Sequence, residues 1–189
     1  MKKQFLLAAF VLVAAFAQAQ TWSLDKAHSK LGFGITHLSI SNVEGSFKKF
    51  DAKITSSKED FSDATVDVSA EVASVDTDND QRDEHLRSAD YFDAAKFPTL
   101  TFKSKTWKKV ADKKFKVTGD LTFHGVTKTV ELDVTLNGTM VHPMSKKTVA
   151  GFKATGVIKR TDFGISPNTP SAMLGDDITL AINTEFAKD

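Results

Sequence analysis

The chain has 189 residues, with 25 Lys and Arg against 24 Asp and Glu, a formal net charge of +1, so it lacks the basic excess that nucleic-acid binding calls for. It contains no cysteine, which excludes disulfides, a thiolate nucleophile and Cys-ligated metal. A chain of this size can still bury enough surface to fold on packing and hydrogen bonds alone.

Residues 1–19 read as an address rather than part of a fold. Lys2 and Lys3 give a positive start, Phe5 to Phe16 is almost unbroken apolar sequence, and Ala17-Gln18-Ala19 offers small residues to a signal peptidase. This is the pattern of a secretory signal peptide. The apolar run is short for a membrane span, and no Cys follows it to carry a lipid anchor. Cleavage is expected after Ala19. It removes two Lys and no acid, turns the net charge from +1 to −1, and leaves 20–189 as one domain without stable membrane insertion.

Beyond this point apolar and polar residues alternate with period two, the mark of half-buried strands. Leu31, Phe33 and Ile35 share one face of a first strand. A second runs from Val43 to Thr55, where the step of three from Phe47 to Phe50 predicts an extra residue, a β-bulge, at Lys48-Lys49. A third sets Val66, Val68, Ala70 and Val72 against Thr65, Asp67, Ser69 and Glu71. Asp78 to Ser88 does not alternate and reads as a short helix, over about 79–88. Asp78 or Asn79 can cap it and Asp80 favours its first turn.

Leu100 and Phe102 lead a strand towards Trp107. Phe115, Val117, Leu121 and Phe123 line one side of the next, and Val130, Leu132, Val134 and Leu136 one side of another. Phe152, Ala154 and Ile158 mark a weaker strand, and Ile178, Leu180, Ile182 and Phe186 a last one. Turn signals stand at Asp112-Lys113, His124-Gly125 and Asn137-Gly138. The prediction is an all-β fold of about eight antiparallel strands. A closed barrel, which removes exposed edges, suits such long strands better than a sandwich.

An eight-stranded barrel is either just filled by its side chains or just wide enough for one small ligand. Small residues on the inward registers (Ala52, Ala70, Ala154, Gly119, Gly156) leave room for an elongated guest, or else simply accommodate a neighbouring Phe. The pattern does not choose between these.

A series of short motifs then runs in order along nearly the whole of 20–189. It opens with Trp22-Ser23-Leu24-Asp25, His28-Ser29 and His37-Leu38. Val75-Asp76-Thr77, Arg82-Asp83, His85-Leu86-Arg87-Ser88, Tyr91-Phe92-Asp93 and Phe97-Pro98 follow. Gly119-Asp120-Leu121-Thr122, His124-Gly125-Val126-Thr127, Arg160-Thr161-Asp162-Phe163-Gly164-Ile165 and Gly175-Asp176 complete it. The series resembles the YceI-like family. The resemblance implies an extended, lipocalin-like barrel, periplasmic or secreted, that holds an isoprenoid chain or related amphiphile: a polyprenyl quinone, a polyprenyl phosphate or a fatty-acid amide. The Gly-x-Trp start of true lipocalins is absent.

On this reading the tail lies against Leu31, Phe33, Ile35, His37, Val66, Val68, Phe102, Val117, Leu121, Val130, Leu132, Phe152, Leu180 and Ile182. No catalytic residue, metal or cofactor other than the bound lipid is expected. His37 continues an inward register, either as a buried histidine satisfied by backbone or as a donor to a head group. Asp83, His85 and Arg87 are candidates for a polar lid, Arg87 for pairing with a phosphate, and Arg160 for a further contact at the mouth. His28 and His124 read as structural, since no His spacing suits zinc. Two alternatives stand beside carriage. One is a lipid-modifying enzyme using His37 or His85 as a base, the other a packed, stress-protective barrel. An isologous homodimer is compatible with either.

Overall fold

The computed structural model describes residues 19–189; the expected signal segment, up to residue 18, lies outside the described residues. The alternating sequence forms strands β1 (Gln20–His37), β2 (Ser41–Phe47), β3 (Phe50–Ser56), β4 (Thr65–Glu71), β5 (Val75–Asp76), β6 (Thr99–Ala111), β7 (Lys114–Phe123), β8 (Val126–Val141), β9 (Thr148–Lys159) and β10 (Leu174–Lys188). One α-helix, α1 (Asp80–Arg87), follows β5. Its cap is Asn79, whose side chain accepts from the Arg82 N–H.

All the pairings are antiparallel, and β10 returns to pair with β1, so the sheet closes. Two staves of the barrel are each interrupted once. Between β2 and β3 the backbone turns out at Lys48-Lys49, where both N–H groups are taken by Ser74. Between β4 and β5 a 3-10 turn at Val72–Ser74 faces that break. Counting each interrupted pair as one stave gives eight, joined in sequence order. The expected irregularity at Lys48-Lys49 is present, and it lets both Phe47 and Phe50 point inward.

The hairpin at His124-Gly125 has positive φ at both residues, 51° and 74°, the backbone that matches strand twist. Asn137-Gly138 does not make the expected turn. Both residues lie within β8, where the register against β9 slips between Leu136 and Gly138. The chain reverses later, over 142–147. β1 also begins ten residues earlier than the alternation showed. Its pairing with β10 skips from Asp25 to Lys30, and that excursion hides the period in the sequence.

Inward and outward faces differ sharply. Along β7, Phe115, Val117, Leu121 and Phe123 are buried while Lys116, Thr118, Asp120 and Thr122 meet solvent more. Ion pairs such as Lys116 with Glu131 (2.8 Å) and Lys159 with Asp177 (2.9 Å) run across the outer wall. This is the reverse of an outer-membrane barrel, whose outward face is apolar. Among the described residues no helix is long and apolar enough to cross a membrane.

Candidate functional site

The inward faces do not meet in the middle. They enclose a cavity of about 350 Å³, at the lower end of the range of small-molecule sites, roughly 300–1,000 Å³. All fourteen residues expected to face the lumen, from Leu31 to Ile182, line it. Leu31, Phe33, Ile35, Val66, Val68, Val130, Leu180 and Ile182 are only partly buried, because each presents carbon to open space.

The small residues divide into two kinds. A β-carbon on Gly119 would sit 2.5 Å from Phe102 Cζ, and one on Gly156 would sit 2.7 Å from Leu132 Cδ2. Those two glycines accommodate a neighbour. Ala52 and Ala154 instead border the cavity. The packed-barrel alternative therefore fails on the hollow itself.

Aromatic clusters bound the lumen at both ends. Under α1, Phe92 packs on Phe123 (ring centroids 5.1 Å) and Phe47 on Phe92 (6.2 Å). At the base, Phe61 meets Trp22 and Phe152, each at 5.0 Å, and Phe152 meets Phe186 at 6.0 Å. Phe61 is fully buried although it belongs to the loop between β3 and β4. Asp63 shapes that loop, accepting from Ser56 Oγ (2.6 Å), Ser57 N–H (3.1 Å) and the Ser57 hydroxyl. Burial pushes the Asp63 carboxyl up, but these hydrogen bonds outweigh it and hold it at about 2.

The polar candidates separate on their partners. Arg160 is 1% exposed and spends all five N–H donors on the carbonyls of Gly175, Ile165, Ser166, Thr169 and Leu174. It borders the cavity but has no donor left for a head group; its work is to fold the 160–174 segment. Asp83 is not at the rim. It is buried, and accepts from the Thr77 N–H (2.9 Å) and hydroxyl (2.6 Å). Arg87 is half-buried and does not line the cavity.

His85 and His37 both line the cavity. His85 is edge-on to Tyr91 at 4.7 Å. His37 is exposed at the end of β1 rather than buried against backbone. Outside the lumen, His28 pairs with Asp25 (3.0 Å) and His124 with the Phe163 carbonyl (2.9 Å).

Several lining residues went unread in the sequence. Thr77, Arg82, Leu86, Tyr91 and Phe92 bring the α1 segment over the mouth, with Arg82 held by the Thr77 hydroxyl (2.7 Å) and carbonyl (2.6 Å). Leu86, Tyr91 and Phe92, apolar beside a polar helix, were the available signal. Trp107 also lines the lumen. A register shift between Ser104 and Thr106 turns it inward, against the parity of Leu100 and Phe102.

A closed antiparallel barrel with a charged coat, an apolar hollow and a helix across one end defines a small-molecule-binding barrel of lipocalin type. Residues 22–186 match the YceI-like domain, and the chain belongs to that family. It is 38% identical over 170 residues to a UPF0312 protein of Staphylococcus aureus (strain N315), covering 88% of this chain and 96% of that protein. The crystal structure of a Campylobacter jejuni YceI protein is 41% identical, with a TM-score of 0.74 over 88% of this chain and 96% of that one. A polyisoprenoid binding domain from Saccharophagus degradans shares the fold at 16% identity, with a TM-score of 0.62 over 89% of this chain and 98% of that one.

Proposed function

We propose that this protein binds one long-chain amphiphilic lipid in its lumen and sequesters or carries it through water. The observation that carries the reading is the continuous cavity whose wall is almost wholly apolar. A hydrocarbon tail gains about 0.8 kcal/mol for each CH₂ withdrawn from water, so chain length alone supplies affinity without a reactive group. Family membership and the fold shared with a polyisoprenoid binding domain support an isoprenoid or related chain.

The polar end lies at the α1 mouth, where Arg82, His85 and His37 supply donors. Export belongs to the same reading, because a carrier of this kind serves an aqueous compartment between membranes or outside the cell. N-terminal sequencing of the mature protein is then expected to begin at Gln20.

The decisive experiment is native mass spectrometry of protein purified from its own host, followed by organic extraction. A stoichiometric long-chain lipid is expected. No extractable lipid, together with no uptake of a hydrophobic fluorescent probe, would overturn the reading.

A further inference from the structure

The base of the lumen carries two polar groups that a simple hydrocarbon sleeve has no use for. The first is the Trp107 indole. Its Nε1 is buried and is, among the described residues, the only buried side-chain nitrogen or oxygen without a hydrogen-bond partner. Its ring neighbours are Phe115 at 5.4 Å and Phe152, edge-on, at 6.3 Å, and neither offers a lone pair. A buried donor left unpaired is destabilising, and native structures rarely tolerate one. A phenylalanine would give similar packing without that burden, yet the β6 register shifts so that Trp107 faces in.

The second group is Thr184. It occupies the inward register of Ile178, Leu180, Ile182 and Phe186, and lines the same cavity. It is the strand partner of Phe152, the ring that Trp107 touches. Its hydroxyl makes no side-chain hydrogen bond among the described residues. A valine would fill the same volume, so the hydroxyl is a second polar departure from an apolar row.

Both groups lie far from the mouth. Trp107 is eight residues down β6 from Thr99, about 26 Å of strand, while His37, Arg82 and His85 are at the α1 end. A head group held there cannot also reach Trp107.

We propose that the base of the lumen is a second polar subsite, built from Trp107 and Thr184, that selects guests bearing a hydrogen-bond acceptor in the distal part of the chain. The proposal rests on the lipid-binding reading and narrows its ligand class to amphiphiles oxygenated at two separated places. The indole N–H donates to a ketone, ester or hydroxyl oxygen of the guest, and the Thr184 hydroxyl donates to the same oxygen.

The test uses octadecanoic acid and a series of oxo-octadecanoic acids whose single ketone is moved along the chain, in competition with a fluorescent probe. Affinity is expected to peak about tenfold above octadecanoic acid (about 1.4 kcal/mol) at one distal ketone position. In W107F and T184V the ratio between that acid and octadecanoic acid falls towards one. In ¹⁵N-labelled wild-type protein, the indole signal absent from W107F moves on adding the preferred oxo acid and stays in place with octadecanoic acid. This last readout needs no folded variant beyond the assignment. A flat profile in a protein that does bind octadecanoic acid overturns the subsite and leaves lipid binding intact. Failure of every acid and of the probe to bind overturns lipid binding itself, and the subsite with it.

Discussion

Phe102 lies across the backbone of Gly119 on the neighbouring strand, so closely that a β-carbon there would fall 2.5 Å from its Cζ and 2.5 Å from the Lys103 carbonyl oxygen. The contact pins a large ring flat against the wall and keeps it out of the middle of the lumen. G119A therefore forces the ring or the β6 backbone to move. Overpacking of this kind is expected to lower stability by about 1–3 kcal/mol, read as a fall in the denaturant midpoint with an unchanged slope.

Val68 borders the open part of the cavity and is only partly buried. An indole there has empty space to enter, so V68W should fold with a small change in stability. Its effect should fall on the guest: co-purified lipid and probe uptake drop several-fold. Undiminished lipid in a folded V68W would show that the tail lies elsewhere.

Arg160 holds five carbonyl oxygens in the segment that leads into β10. R160Q strips most of those donors and leaves buried acceptors unmatched, each worth about 1–3 kcal/mol. A loss of more than about 2 kcal/mol is expected by chemical denaturation. R160K, with its charge but without the planar fork, should recover only part of it.

Asp63 gives a pH dependence with a definite sign. Its carboxyl is held at about 2 in the fold against about 3.9 in an unfolded chain. A depressed carboxylate stabilises above its unfolded value and loses that contribution as pH falls through its folded one. D63N should melt below wild type at pH 5, and the gap should close between about pH 4 and pH 2. A gap independent of pH would mean that the loop carrying Phe61 does not depend on this charge.

Much of this molecule was legible in its sequence because its walls have one wet face and one dry face. Where that contrast was clean, as along β7 and β10, alternation placed Val117, Leu121, Leu180 and Ile182 on the lumen wall. It failed where the backbone slips. The excursion after Asp25 hid the first third of β1, the irregularity before Thr106 hid Trp107, and Asn137-Gly138 looked like a turn because a register slip uses the same residues.

The polar site was harder to read, for a physical reason. A side chain's role at the mouth depends on whether its donors are already taken. Arg160 and Arg82 look alike in sequence, yet one is spent entirely on carbonyls. Thr184 was passed over because a single threonine hardly disturbs an apolar row.

The seam between β1 and β10 ties together parts of the chain that are remote from each other; Ser29 and Glu185, which share a hydrogen bond, are 156 positions apart. Every other stave docks on one made just before or after it, a cheap local step, whereas this junction must gather the two extremes of a long chain. Until it forms, the product is an open, curling sheet with its greasy side bare to water. A lipid present at that moment could be wrapped rather than threaded, so the order of assembly bears on how the barrel first acquires its contents.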